Sequence, residues 1–124
     1  MAESRAYQKL KRHYPRAHWQ RFESWTGVGV FDTNACLNGR EIWIELKEVV
    51  PPKILNDKWI VKPKVRPSQV AWQALKAAAG GATYIAIMVG MNMYIIEGGY
   101  IGELRTGMPL KKLKQLNIPV ETIL

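Results

Sequence analysis

Cysteine occurs once in this chain, at Cys36, and histidine twice, at His13 and His18. No apolar run approaches the roughly 20 residues needed to span a bilayer. A lone thiol excludes an internal disulfide and fits a reducing compartment. Residues 1–16 carry basic side chains but no apolar h-region, so they do not read as a secretory signal. Repeats and low-complexity tracts are missing. Thr26-Gly27-Val28-Gly29 is too short for a Walker or Rossmann phosphate loop; its glycines suit a tight turn or a close backbone approach to a phosphate or a metal-bound water. Acids are also few: 10 Asp and Glu face 18 Lys and Arg, leaving a net charge of +8. That field favours a polyanionic partner, nucleic acid first, with a generic basic surface as the plain alternative.

What is present suits a folded protein. With 48% hydrophobic residues in 124, the chain reads as one domain, 1–124, with a modest core and a basic N-terminal helical segment. The basic residues cluster at Arg12, Arg16 and Arg21, and again at Lys53, Lys58, Lys62, Lys64 and Arg66. The candidate acids stand between these clusters, where a metal site receiving a phosphate backbone needs them.

Periodicity and punctuation predict a helix over residues 3–13, stopped near Pro15. Trp19, Phe22 and Trp25 at i, i+3 and i+6 predict a second helix over Arg16–Trp25. Glu23 lies one step round it; taken alone, it reads first as a solvated carboxylate paired with Arg16 or Arg21. Two β-rich stretches follow, Val28–Leu37 and Arg40–Val49. Pro51-Pro52 ends the second, and Lys53–Lys64 is a polar connection, a loop or an irregular hairpin. A third helix is expected from Arg66-Pro67-Ser68 to about Ala79, capped by Ser68 or the preceding turn and closed by Gly80-Gly81. Its Val70, Leu75 and alanines should pack on the sheet, leaving Gln69, Trp72, Gln73 and Lys76 as a more polar edge. Ala82–Val89 reads as a buried strand, Met93–Glu97 as its neighbour, and Met108–Leu116 as a terminal helix. The fold class is α/β, a small mixed central sheet flanked by helices.

Asn38-Gly39 is the strongest hairpin signal in the chain, since a type I′ turn needs φ > 0 at both central residues. Pairing Leu37 with Arg40 and counting back sets Asp32 opposite Glu45, with Lys47 two residues on and on the same face. Ile42, Ile44 and Leu46 then face a core, while Trp43, Glu45 and Lys47 line a site. Opposed carboxylates destabilise a ladder unless a cation stands between them. A salt-bridge cluster with Lys47 is the bland account, at about 1 kcal/mol or less per pair.

Asp32 followed by Glu45-Leu46-Lys47 resembles the core motif of the PD-(D/E)XK nucleases, and the string GVGVFD…GREIWIELK…VRPSQVAWQ is similar to their viral and phage branch, which includes the VRR-NUC domain and Holliday-junction-resolvase-like nucleases. The likeness runs from about Arg21 to Glu97. It departs from the family pattern at Phe31, where the family name calls for proline; that proline stiffens the backbone and is not a ligand. The resemblance implies a restriction-endonuclease-like core and a metal-dependent DNA endonuclease. Asp32, Glu45 and the Leu46 carbonyl would hold Mg²⁺ or Mn²⁺, one ion or two, with Glu23 binding a second ion or a metal-bound water. Lys47 would orient or deprotonate the attacking water, and Gln69 would contact that water or the scissile phosphate. Two histidines are too few for a His-rich metal nuclease.

Branched DNA, such as a Holliday junction, is the substrate this implies, and symmetric cutting of it implies a homodimer in the cytoplasm, the host's if a phage encodes it. No small-molecule cofactor and no membrane are expected. Two alternatives stand beside it: a non-catalytic DNA-binding module on the same fold, and a nuclease acting on ordinary duplex or single strands.

Overall fold

The architecture was described in a computed structural model, which describes residues 4–22 and 29–124. Helix α1, Arg5–His13, starts where the Ser4 hydroxyl accepts the Tyr7 N–H at 3.1 Å and stops ahead of Pro15. It buries Ala6, Tyr7 and Leu10, as the expected basic amphipathic helix should.

The next segment departs from expectation. Residues 18–21 form an edge strand, β1 (His18–Arg21), antiparallel to β2 (Thr33–Leu37). The i, i+3 aromatic spacing belongs to two faces of a strand rather than one of a helix. Trp19 packs edge-on against Tyr7 at 5.9 Å and donates its indole N–H to the Tyr14 carbonyl. Phe22 stacks with Trp43 at 5.4 Å. The remainder of the predicted helix, including Glu23 and Trp25, lies outside the described residues.

β2 turns into β3 (Arg40–Val49) through Asn38 at φ 51° and Gly39 at φ 80°, the pair of positive values the turn demands. The register pairs Leu37 with Arg40 and Thr33 with Ile44, as counted from the turn. β2 starts at Thr33 rather than in the preceding glycine-containing stretch. β3 then pairs in parallel with β5 (Ala82–Val89), which pairs antiparallel with β6 (Asn92–Glu97). The sheet order β1-β2-β3-β5-β6 puts β3 at the centre of a mixed sheet, so the expected fold class holds.

The crossover between β3 and β5 contains β4 (Ile60–Val61) and α2 (Pro67–Ala78). Arg66, not Ser68, is the N-cap of α2, with Pro67 in the first turn. The buried face of the helix is shifted from the one expected: Val70 packs on the core as expected, but Gln69 and Gln73 are also buried against the sheet, while Leu75 is 74% exposed. Polar groups go inside only when partnered, and here partners exist. Gln73 reaches Thr83 at 3.1 Å, and Gln69 reaches two site residues described below.

After β6 come a short helix, α3 (Ile101–Thr106), and β7 (Met108–Pro109), both unforeseen; the expected terminal helix begins only at Leu110, as α4 (Leu110–Leu116). β7 pairs with β4, which ties the polar connection down far along the chain. Both sheet faces are covered. Ile85, Ile87 and Val89 join Phe31 and Leu104 in one core; Ala86 and Met88 join Leu10, Ile42 and Ile44 in the other. Cover on both sides explains the unbroken apolar run of β5. Trp43, expected to line a site, instead packs on Trp72 at 5.5 Å. Among the described residues no helix is long and apolar enough to cross a membrane.

Candidate metal and nucleic-acid site

Asp32 sits in the bend one residue before β2, a step beyond the last ladder pair. Here the chain turns its polar atoms toward β3. The Asp32 N–H donates to Glu45 Oε1, and Asp32 Oδ1 accepts the Leu46 N–H, each at 3.2 Å. The Thr33 hydroxyl also donates to Oδ1, and an Arg21 guanidinium nitrogen lies 3.7 Å from Oδ2.

Glu45 is almost wholly buried. Its Oε2 accepts from Gln69 Nε2 at 2.7 Å and stands 3.1 Å from Lys47 Nζ. The Gln69 carbonyl oxygen accepts from Lys47 Nζ and from the Arg66 N–H, each at 3.1 Å. Lys47 Nζ also donates to the Lys64 carbonyl. Gln69 therefore brackets an acid and an amine from the first turn of α2, with its amide orientation dictated by both partners. This is a fuller engagement than the water or phosphate contact expected of it.

Burial is the main reason the Asp32 carboxyl is pushed up from 3.8 to about 7; the neighbouring Glu45 carboxylate adds to it. Arg21, the Leu46 N–H and Thr33 pull the other way without cancelling it. Two half-dry carboxyls that resist sharing a site as anions offer hard oxygen donors to a divalent cation. Among the described residues no third acidic, His or Cys side chain completes such a group. Glu23, expected to add one, lies outside them.

The basic residues divide by position. Arg21 is at Asp32, and the backbones of Lys64 and Arg66 touch Lys47 and Gln69. Lys62 and Lys64 line an open concavity of about 580 Å³ together with Arg105, a cation that no local sequence signal marked because it depends on the β4–β7 pairing. Lys53 and Lys58 are exposed on the connection after β3. Arg16 lies elsewhere, beside His13, His18 and Cys36 at the hairpin end, and Arg12 is exposed at the end of α1. Lys47 lies six positions along β3 from Glu41, the partner of Cys36, a span of roughly 20 Å.

The sequence matches no family model and no curated protein. The structure is similar to Hjc of Archaeoglobus fulgidus, a Holliday junction resolvase from an archaeal hyperthermophile. The TM-score is 0.54 at 10% identity, over 90% of this chain and 98% of that one. At this identity the likeness is one of fold.

Proposed function

We propose that the protein is a metal-dependent DNA endonuclease of the PD-(D/E)XK type, acting on branched DNA in the manner of a junction resolvase. The observation that carries this reading is the cluster of Asp32, Glu45, Lys47 and Gln69 within 3.2 Å contacts at the centre of the sheet. The fold shared with a resolvase supports the same reading, and inclines it toward the resolvase-like rather than the VRR-NUC side of the sequence resemblance.

In this reading Asp32, Glu45 and the Leu46 carbonyl hold Mg²⁺ or Mn²⁺, and Glu23 supplies a second ion or a bound water with its carboxylate. The bound ion supplies Lewis acidity at the phosphoryl oxygen and a nucleophile near neutral pH. The chain's own groups do the rest. Lys47 places a positive charge where the phosphorane accumulates negative charge and orients the attacking water. Gln69 holds Lys47 and Glu45 in mutual register, so that neither swings away before substrate arrives. Phosphate contacts fall to Arg21, Lys53, Lys58, Lys62, Lys64, Arg66 and Arg105 beside the site, and to Arg12 and Arg16 on a duplex arm that runs to the hairpin end. Two symmetric cuts across a junction call for a homodimer.

A labelled four-way junction, a flap, a duplex and a single strand incubated with protein and Mg²⁺ test this. Junction cleavage that ceases with EDTA and in Asp32→Asn is the expected outcome. Tight binding to the junction with no cleavage in either metal supports the non-catalytic module instead, and preferential cutting of plain duplex or single strand removes the resolvase assignment.

A further inference from the structure

The segment after β3 keeps apolar side chains in water where the chain leaves Lys47. Val50 is 88% exposed, Ile54 86% and Leu55 42%. Val50 follows Lys47 by three residues, about 10 Å along an extended chain.

This loop is held at both ends. The Gly90 N–H donates to the Val49 carbonyl, and Pro51-Pro52 fix the backbone that follows. On the far side, Asp57 accepts the Lys111 N–H at 2.9 Å and pairs with Lys114 at 2.9 Å, and Trp59 bonds back to Asn56. Anchored ends keep the apolar tip from folding back onto the protein. Asp57, the loop's one acid, is neutralised by Lys114, so Lys53 and Lys58 leave the loop cationic. Ile54 and Leu55 between Lys53 and Lys58, with Val50 at the loop's entry, match a polyanion that presents uncovered base faces; a duplex presents phosphates but keeps its bases stacked.

We propose that loop 50–58 is a wedge that enters the unstacked centre of branched DNA, with Val50 and Ile54 against base faces and Lys53 and Lys58 on the flanking phosphates. The proposal rests on the DNA-cleaving reading above and names what selects its substrate. Apolar side chains inserted at base steps favour DNA whose stacking is already broken, because a continuous duplex must first unstack.

The test compares the wild type with Val50→Ser/Ile54→Ser on a four-way junction carrying 2-aminopurine at the branch point and on a matched duplex, in Ca²⁺ to separate binding from cutting. The double variant should lose about tenfold in junction affinity while duplex affinity changes less than twofold, a shift of the size expected for apolar contacts. The 2-aminopurine emission change seen with the wild type should vanish, and Ile54→Leu alone should retain it. A double variant that keeps both the preference and the signal overturns the wedge while leaving the nuclease reading intact. So does one whose sedimentation shows a dimer turned monomer, since the patch is then a contact between copies. A wild type that binds neither DNA overturns the nuclease reading itself, and the wedge with it.

Discussion

Asp32 is held in a state that the metal-free fold resists. Its carboxyl is largely removed from water and faces Glu45, and its pKa of about 7 against 3.8 records the conflict. The sign of the consequence follows from proton linkage. As pH rises the unfolded chain loses this proton first, so between about pH 4 and pH 7 the folded state holds the extra proton and stability falls; above pH 7 the loss levels off. The full effect is on the order of 4 kcal/mol. Asp32→Asn keeps an oxygen for the Leu46 N–H and removes the charge. In EDTA at pH 8 this variant should therefore unfold at higher urea than the wild type, with the gap shrinking by more than half at pH 5. Millimolar Mg²⁺ should raise the wild-type midpoint and leave the variant unmoved. A variant less stable than the wild type at pH 8 without metal would show that the carboxylate is satisfied by Arg21 and needs no cation.

At the scale of elements, the site depends on how closely two segments approach. Gly29, at φ +74°, lies so near the start of α2 that an added Cβ would stand 2.1 Å from the Ser68 carbonyl oxygen. Gly39, in the hairpin at φ +80°, has nothing within 4 Å of the same position. Both glycines answer a backbone demand; only the first also answers a steric one. Gly39→Ala should cost about 1 kcal/mol. Gly29→Ala should cost at least about twice that, because it drives the segment leading to Asp32 away from the turn that carries Gln69. Urea midpoints at constant m would check the order, and equal losses would show that the approach is not tight. Gly29 also marks what could be read from the chain alone. The Asn-Gly turn encodes its geometry locally, so the β2–β3 register and the meeting of Asp32, Glu45 and Lys47 were legible. The close approach of Gly29 to α2 is invisible in the sequence, where its glycines suit a tight turn or an approach to a phosphate or bound water, because its neighbour is a helix 39 positions on. β1 departs from the helix that the i, i+3 spacing predicts because Trp19 and Phe22 are each covered on a separate face of the edge strand, Trp19 by Tyr7 and Phe22 by Trp43. The buried face of α2 takes in Gln69 and Gln73 because these become core residues only once Glu45, Lys47 and Thr83 are in place to bond them.

For the whole molecule, the decisive quantity is where the charge of +8 lies. The site itself is nearly balanced, with Lys47 against Glu45 and Arg21 near Asp32, so the excess sits outside it. Lys53, Lys58, Lys62, Lys64 and Arg105 lie on the connection after β3 and in the concavity near the site, and Arg12 and Arg16 extend the positive surface to the hairpin end. A grip of this kind releases counterions, giving a slope of log affinity against log salt of about −0.9 per phosphate neutralised. If these seven cations, together with Arg21 and Arg66 at the site, each hold one phosphate, the slope should be about −8. Arg12→Ser/Arg16→Ser removes one contact at the end of α1 and one at the hairpin end and should flatten the slope by about 2 without moving the cut. Lys62→Ser/Lys64→Ser should flatten it equally but also slow cleavage, because the concavity these lysines line adjoins the site, where the Lys64 carbonyl accepts from Lys47. Filter binding from 50 to 200 mM salt, paired with single-turnover cleavage, separates the two ends of the surface. An unchanged slope in the arginine pair would confine the DNA to the near side and set the footprint at one end of the sheet.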